Sequence, residues 1–321
     1  MDMIKLAEEI IAGRRIDRSD DTSVFLTADP ETLFRGADMI RAALRGERVD
    51  LCSIINGRSG KCPENCKFCA QSAHNCTGID EYPFLDEESI IKECRHNAEK
   101  GVHRFSIVTA GRTLSPSDFE KAVSAYSRMH REVDIELCGS HGLLTDEQFR
   151  RLREAGVRRY HCNIETSRRN FPNICTTHTF DDKTACIKRA QNAGLEVCSG
   201  GIIGMGETWE DRIDMALTLS ELGVCSVPIN ALMPIKGTPL EGLPRLTEED
   251  ILRTVAIFRY IVPEAGIRLA AGRDLMSDCG RKSFRSGADA TITGDMLTTS
   301  GNDINADTAM LTDMGFDISR R

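Results

Sequence analysis

The 321-residue sequence has no excess of basic residues and no long apolar run. Its 41 lysines and arginines are outnumbered by 49 aspartates and glutamates, which gives a formal net charge of -8. Nucleic-acid binding normally depends on clustered lysine and arginine, so we expect no nucleic-acid partner. No stretch approaches the roughly 20 apolar residues needed to span a bilayer, so we expect no membrane segment. The N-terminus lacks the pattern of a secretory signal, which favours a cytoplasmic protein.

Cysteine, in contrast, is abundant, with 13 residues. Because cytoplasmic thiols stay reduced, disulfides are a poor explanation for this number. The cysteines therefore indicate metal or sulfur chemistry.

The order of apolar runs predicts an α/β protein with one large barrel. Residues 1–48 have helical periodicity, and from residue 49 onward short β-rich runs alternate with longer helical ones. Eight such strands predict a parallel (β/α)8 barrel of the TIM type with an N-terminal helical extension. The predicted strands are 49–56, 104–110, 134–138, 159–165, 196–203, 226–232, 266–270 and 290–294. We divide the chain into the extension (1–48), the barrel (49–300) and a polar C-terminal tail (301–321).

A cysteine loop follows the first predicted strand. Cys62, Cys66 and Cys69 have the spacing CxxxCxxC, with Phe68 just before the last cysteine. Three such thiolates can each bind one iron of a 4Fe-4S cluster and leave the fourth iron open. An open iron can chelate S-adenosylmethionine, whose reductive cleavage yields a 5'-deoxyadenosyl radical. The alternatives are a zinc site, or a ferredoxin-like cluster completed by Cys76.

A glycine-rich run ends the fifth predicted strand. Gly200, Gly201, Gly204 and Gly206 let the backbone approach a planar adenine or a cluster closely. Such a run is also typical of a tight strand-to-helix turn. Beside the cysteine loop, it makes Gly204 a candidate for cofactor binding.

Alternation along the strands predicts which side chains face the barrel interior. His161, Asn163 and Glu165 share one face of the fourth strand. Polar groups directed at the surrounding helices would be costly, so we place this face inward. The same argument places Asn230 inward on the sixth strand.

Alternate strands of a barrel can contribute one layer of interior side chains. Cys52, Cys138, Cys198 and Arg268 lie on the first, third, fifth and seventh strands and predict a second iron-sulfur site, in which Arg268 is both a ligand and a catalytic residue. An interior Arg268 without a partner would be costly unless it meets an anion or a sulfur cluster. The alternative for each cysteine is an inert buried thiol. We interpret the following as structural: Cys94, Cys162, Cys175, Cys186, Cys225 and Cys279.

Six segments together resemble the biotin synthase family of radical S-adenosylmethionine enzymes. They are Cys62-Pro-Glu-Asn-Cys-Lys-Phe-Cys-Ala-Gln-Ser-Ala73, Val197-Cys-Ser-Gly-Gly-Ile202, Gly204-Met-Gly-Glu-Thr208, Ser226-Val-Pro-Ile-Asn230, Lys236-Gly-Thr-Pro239 and Ile267-Arg-Leu-Ala-Ala-Gly-Arg273. The resemblance covers roughly residues 30–300. It implies that dethiobiotin loses hydrogen from C9 and then C6, and that sulfur from an auxiliary cluster closes the ring. It also implies a flavodoxin or ferredoxin as electron donor and a homodimer.

The resemblance implies roles for individual residues as well. Asn163 and Asn230 would hold the ureido ring of the substrate. Glu165 would bind the ribose of the cosubstrate, and Lys183 its carboxylate, where the family usually has arginine. A further pair would receive the substrate carboxylate: Thr298 and Thr299.

The sequence departs from the family pattern at the auxiliary cluster. The family binds a 2Fe-2S cluster through three cysteines and an arginine, but the cysteine expected on the second strand is here Ser106. Cys52 stands on the first strand, where serine is usual. We therefore expect one ligand to have moved to the neighbouring strand and the cluster to be a four-iron, 4Fe-5S type.

Two other functions remain open. A radical enzyme of the hydrogenase-maturase or methylornithine-synthase type would share the barrel and the loop but not the auxiliary layer. A non-catalytic iron-sulfur carrier would leave the inward Asn163, Glu165 and Asn230 without purpose.

Overall fold

A computed structural model describes residues 2–294, 297 and 301–319, in which parallel strands close into a barrel. The strands are β1 (Asp50–Arg58), β2 (Arg104–Thr109), β3 (Glu136–Ser140), β4 (Val157–His161), β5 (Glu196–Cys198), β6 (Gly201–Ile203), β7 (Ser226–Ala231), β8 (Gly266–Leu269) and β9 (Ala290–Ile292). Neighbours pair in the order β5-β4-β3-β2-β1-β9-β8-β7-β6, and a β5–β7 pairing closes the ring. Because β5 and β6 share one position, the barrel has the eight strands predicted.

The fifth barrel strand is interrupted, although a continuous strand was predicted over 196–203. At Gly200 the backbone passes so close to β7 that a Cβ atom there would lie 2.0 Å from the carbonyl oxygen of Pro228. The Gly200 N–H is satisfied instead by the side chain of Asn163, whose Oδ1 accepts it at 3.0 Å. The fourth strand likewise ends at His161, and Glu165 adopts a positive φ of 67°. Beyond the end of β4, Asn163 and Glu165 both line the cavity in the barrel.

Helices surround the barrel. They are α1 (Met3–Ile11), α2 (Val24–Thr27), α3 (Pro30–Arg45), α4 (Glu87–Glu99), α5 (Pro116–Glu132), α6 (Asp146–Glu154), α7 (Phe171–Ile174), α8 (Phe180–Asn192), α9 (Trp209–Glu221), α10 (Glu248–Ile261) and α11 (Ile304–Asp313). Thr145 and Thr247 form capping boxes at the starts of α6 and α10, which satisfies amides that have no partner within the helix. Within the described ranges, no helix is both long and apolar enough to cross a membrane.

Both ends of the chain pack on the barrel's helical layer. The Tyr260 hydroxyl of α10 donates to the Met3 carbonyl at 3.0 Å, which joins the N-terminal helices to the barrel. The segment expected to be a polar tail contains α11, whose Asp307 makes a two-bond ion pair with Arg273 at 2.7 and 2.9 Å. Both side chains are almost fully buried. This pair secures the C-terminal helix.

We predict that Asp307→Asn destabilises the protein far more than Asp313→Asn on the same helix. The first change leaves the buried Arg273 charge without its carboxylate, which should lower the free energy of unfolding by about 3 kcal/mol. Asp313 pairs with Arg281 at the exposed surface and should matter little. Chemical denaturation of the two variants makes the comparison, and equal midpoints would contradict it.

Candidate active site

One cavity, which encloses about 420 Å³, extends from the barrel interior to the loops after the strands. Its lining contains most of the predicted site residues: Cys52, Cys62, Cys66, Phe68, Cys69, Cys138, Asn163, Glu165, Lys183, Cys198, Asn230 and Arg268. Gly204 is not part of this lining. Thr298 and Thr299 lie outside the described residues. The fold therefore brings the cysteine loop and the interior cysteines to the same space.

The polar residues that follow the cysteine loop hold its shape. The Cys62 N–H donates to the Gln71 carbonyl at 3.0 Å. Asn75 Nδ2 donates to the carbonyls of Cys66 and Cys69, at 3.3 and 2.8 Å. Cys76 is exposed and does not line the cavity, which argues against a cluster that Cys76 completes.

The glycine-rich run forms a turn that an acidic side chain anchors. The two carboxylate oxygens of Glu207 accept from the amides of Gly204 and Met205, each at 2.7 Å. Arg212 Nε also donates to Glu207, at 2.8 Å. Met205 in turn belongs to a small apolar cluster on which Phe68 packs. The glycine-rich run thus places Met205 in the apolar cluster that supports Phe68 of the cysteine loop.

Polar groups occupy the middle of the cavity. Asn163 Nδ2 donates to Glu165 at 3.3 Å, and Lys183 Nζ lies 3.8 Å from the other Glu165 oxygen. Burial alone would lower the pKa of Lys183, but the negative charges of Cys162 and Glu165 raise it, so Lys183 stays charged. Asn230 Nδ2 donates to the Gly201 carbonyl at 3.1 Å. These side chains are therefore held in fixed orientations.

The three interior cysteines are buried, and they differ in acidity. Burial raises the pKa of Cys52 to about 12 and also raises the pKa of Cys138. Burial acts on Cys198 in the same direction, but a hydrogen bond to His161 and the positive charges of His161, Arg268 and Arg159 together outweigh it and lower that pKa to about 6. Cys198 can therefore ionise near neutral pH, whereas Cys52 and Cys138 need a metal to bind as thiolates.

Arg268 has an anionic partner in the protein, which the sequence analysis did not identify. Its Nη2 bonds to the Asp50 carboxylate, and its Nη1 donates to the Thr291 carbonyl at 2.7 Å. The same carboxylate accepts from Arg104 Nε at 3.2 Å and lies 3.5 Å from Arg159. Burial would raise the pKa of Asp50, but the three guanidinium groups hold it well below its usual value.

The charge around the interior cysteines suits an anionic group. Arg104, Arg159 and Arg268 all line the cavity, and they share the half-buried carboxylate of Asp50. Glu196 also pairs with Arg159, at 2.7 Å, but is half exposed. An iron-sulfur cluster with thiolate ligands is negative, so the donor atoms and the surrounding charge both fit such a cluster.

Ser106 also indicates a bound group near the interior cysteines. It pairs with Cys138 in the β2–β3 register, and its Oγ is buried without a hydrogen-bond partner among the described residues. A buried hydroxyl without a partner is costly, so a group absent from the protein itself is expected to lie near it.

Besides Asp50, the sequence predictions missed two features of the site. Arg159 continues the alternation of His161 and Asn163, so the strand pattern could have identified it. Cys175, interpreted above as structural, has its Sγ 3.7 Å from the Cys66 Sγ. No spacing signal in the sequence connects these two residues, because α7 and its flanking loops bring Cys175 to the cysteine loop.

Comparisons with known proteins agree with this geometry. Residues 56–219 match the model of the Radical SAM superfamily, and residues 228–317 match the Biotin and Thiamin Synthesis associated domain. A biotin synthase of Clostridium beijerinckii is 65% identical over 98% of this chain and 100% of its own. Biotin synthases of Alkaliphilus metalliredigens and Clostridium perfringens are 63% and 49% identical, over 98% of this chain and 99% of theirs.

Solved structures support the fold. A methylornithine synthase superposes with a TM-score of 0.84 at 21% identity, over 98% of this chain and 97% of its own. A hydrogenase maturase from Carboxydothermus hydrogenoformans superposes with a TM-score of 0.79 at 18% identity, over 98% and 78%. At these identities the likeness concerns the barrel and not the reaction.

We predict that Asp50→Asn destabilises the cluster-free protein, because three guanidinium groups would lose their common carboxylate. The expected loss is about 3 kcal/mol in the free energy of unfolding. Glu136→Gln is the matched control, since Glu136 is exposed and lies 3.8 Å from Arg104. Urea denaturation measures both, and an Asp50→Asn protein as stable as the control would refute the central role of this carboxylate.

Proposed function

Because the chain belongs to the biotin synthase family of the Radical SAM superfamily, we propose that it inserts sulfur between C9 and C6 of dethiobiotin to form biotin. The observation that carries this proposal is that the cysteine loop and the interior cysteines line the same cavity. When bound, a 4Fe-4S cluster and S-adenosylmethionine supply a 5'-deoxyadenosyl radical, and an auxiliary iron-sulfur cluster supplies sulfur.

The cavity lining supports a substrate between the two sets of cysteines. On β4 and its extension, His161 contacts Cys198, whereas Glu165 lies close enough to Cys66 and Cys69 to raise their pKa values. His161 lies at the end of β4 and Glu165 lies four residues further along the chain, so the two sets of cysteines line different parts of the cavity. A small organic molecule can lie between them.

Asn163 and Asn230 are suited to hold the ureido ring. Asn163 uses one amide hydrogen for Glu165 and one lone pair for the Gly200 N–H. Asn230 likewise donates to Gly201 and accepts from the Ala271 N–H at 3.2 Å. Each side chain keeps one donor and one lone pair free for a ligand, which complements the carbonyl and N–H groups of a urea.

The cosubstrate would lie nearer the cysteine loop. Cys62, Cys66 and Cys69 would hold the 4Fe-4S cluster, with Phe68 and Gly204 beside it. Glu165 would accept hydrogen bonds from the ribose. The ammonium of Lys183 would bind the carboxylate, since the pKa of Lys183 is raised and it is charged at neutral pH.

Cys52, Cys138 and Cys198 would bind the auxiliary cluster as a four-iron, 4Fe-5S type. The terminal nitrogens of Arg268 already donate to Asp50 and Thr291. We therefore assign Arg268 a role through its positive charge beside the sulfur that is transferred, in place of the ligand role expected from the family. A flavodoxin or ferredoxin would supply electrons, and the enzyme would be a homodimer, as the resemblance implies.

The proposed reaction is tested by incubating the anaerobically reconstituted enzyme with reductant, S-adenosylmethionine and dethiobiotin. We expect biotin, and 5'-deoxyadenosine whose yield depends on dethiobiotin. Formation of 5'-deoxyadenosine that ignores dethiobiotin would instead favour a radical enzyme with another substrate. Absence of both products from an iron-replete protein would favour an iron-sulfur carrier.

The auxiliary site is tested by Cys52→Ser. We expect this variant to lose the auxiliary iron and more than about tenfold of its biotin formation, because it lacks one thiolate, yet to retain cleavage of S-adenosylmethionine. Ser106→Ala is the matched control on the neighbouring strand and should keep its iron. Iron and sulfide content with absorption spectra provide the measurement, and unchanged auxiliary iron in Cys52→Ser would refute the shifted ligand.

A further inference from the structure

Cys66 has a second cysteine beside it that the proposed reaction does not use. Cys175 directly follows α7, and its Sγ lies 3.7 Å from the Cys66 Sγ. His178 Nδ1 lies 3.3 Å from the Cys175 Sγ. The ligand atoms of these three residues all lie within 4.8 Å of one another.

These spacings are close to the edges of a tetrahedral zinc site. Zinc binds sulfur at about 2.3 Å and imidazole nitrogen at about 2.0–2.1 Å. In a tetrahedron these bonds place two sulfur atoms about 3.8 Å apart, and a sulfur and a nitrogen about 3.6 Å apart. The Cys66–Cys175 distance of 3.7 Å agrees with the first edge, the Cys175–His178 distance of 3.3 Å is slightly shorter than the second, and the third pair lies within 4.8 Å. Small side-chain movements would therefore bring the three ligand atoms into a tetrahedral arrangement.

The surroundings of these residues also favour a cation. Glu64 is buried, and its carboxylate bonds to His178 Nδ1. Thr177 Oγ1 donates to the same carboxylate oxygen at 2.7 Å, which orients it. Glu64 thus offers a negative charge and an oxygen for a fourth position, and Arg112 Nη1, which lies 3.7 Å from its other oxygen, neutralises part of that charge.

The imidazole of His178 has unused capacity. His178 is 7% exposed, and its Nε2 has no hydrogen-bond partner within the described part of the chain. Nδ1, the nitrogen that faces Cys175, can therefore bind an ion through a lone pair of the neutral ring while Nε2 carries the proton.

We propose that, in the cluster-free protein, Cys66, Cys175 and His178 bind one thiophilic divalent cation, such as Zn²⁺ or Fe²⁺. Binding releases the two thiol protons to solvent and involves no change of oxidation state. Because Cys66 is also a proposed ligand of the 4Fe-4S cluster, the cation and the cluster exclude each other. The site would control access of iron to the cysteine loop. This inference goes beyond the proposed function and does not depend on the identity of the substrate.

Cobalt titration under anaerobic conditions tests the site, because Co²⁺ replaces Zn²⁺ and its thiolate charge-transfer bands report sulfur ligands. The background is a Cys62→Ser/Cys69→Ser protein, which keeps the three proposed ligands and loses the other thiols of the loop. We expect adding Cys175→Ser to weaken binding of one Co²⁺ by at least about tenfold and to remove its charge-transfer absorbance. Ions held by the interior cysteines bind to both proteins alike, so the difference in Co²⁺ binding between the two proteins reports only the proposed site.

Cys186→Ser, in the same background, is the matched control, because Cys186 is a buried cysteine on α8 that contacts the Gly142 carbonyl and not Cys66. His178→Gln is the second test variant and should weaken Co²⁺ binding as Cys175→Ser does. Thermal unfolding establishes that each variant is folded. Co²⁺ binding that neither Cys175→Ser nor His178→Gln weakens would overturn the proposal.

Competition with cluster assembly gives a second readout. We expect the full-length wild-type protein loaded with one equivalent of Zn²⁺ to build its cluster severalfold more slowly than the metal-free protein, whereas Fe²⁺ should not slow it. In Cys175→Ser the Zn²⁺ delay should disappear, and an equal delay in both proteins would overturn the proposal. Biotin formation is measured separately, so failure of the proposed reaction would leave the metal-binding result intact.

Discussion

The ion pairs of the Asp50 carboxylate are the interactions on which the part of the cavity around the interior cysteines depends. This carboxylate stands on β1 and meets guanidinium groups from β2, β4 and β8, which places three positive charges around one negative charge. Burying these cations without an anion would cost several kcal/mol each, so this carboxylate makes the arrangement possible. The incomplete neutralisation also leaves the cavity attractive to an anionic cluster.

The interrupted fifth strand is the second constraint. Gly200 lets its backbone approach β7 more closely than any residue with a side chain could, and its N–H donates to Asn163 Oδ1. The same local geometry brings Glu165 to Gly201, where the two residues form an isolated bridge. A backbone irregularity thus fixes the orientation of Asn163 and Glu165, which we assign to substrate and cosubstrate binding. The glycine-rich run would therefore contribute to function by positioning these two side chains.

The two sets of cysteines differ in how they are made ready for metal. The loop cysteines depend on hydrogen bonds from the chain that follows them, chiefly from Asn75. The interior cysteines depend on the barrel walls and on charges from neighbouring strands, and Cys198 has the added help of His161. The first set is held by its own loop together with the segment around α7, whose Ile174 carbonyl accepts from the Lys67 N–H at 3.0 Å, whereas the second exists only when the barrel is closed.

Much of this architecture could be predicted from sequence. Alternation along β4 predicted the inward face of His161, because a strand has a period of two whatever surrounds it. Asn163 and Glu165 also line the cavity, but they lie beyond the end of β4, so strand alternation does not explain their position. The spacing of Cys62, Cys66 and Cys69 predicted a loop that binds an iron-sulfur cluster, because short loops restrict where their thiolates can lie, and the structure places all three residues on one cavity. The continuous fifth strand was wrong, since only the approach of β7 breaks it.

The sequence by itself determined most of the local elements and the close spacing of the loop cysteines, since both depend on residues close together in the chain. Only the tertiary structure decided that Arg268 meets Asp50 and that Cys175 meets Cys66. Those pairs are separated by 218 and 109 residues, and no periodicity connects them. Barrel closure creates the first pair and the packing of α7 creates the second, because long-range contacts follow from how the elements pack and not from their own patterns.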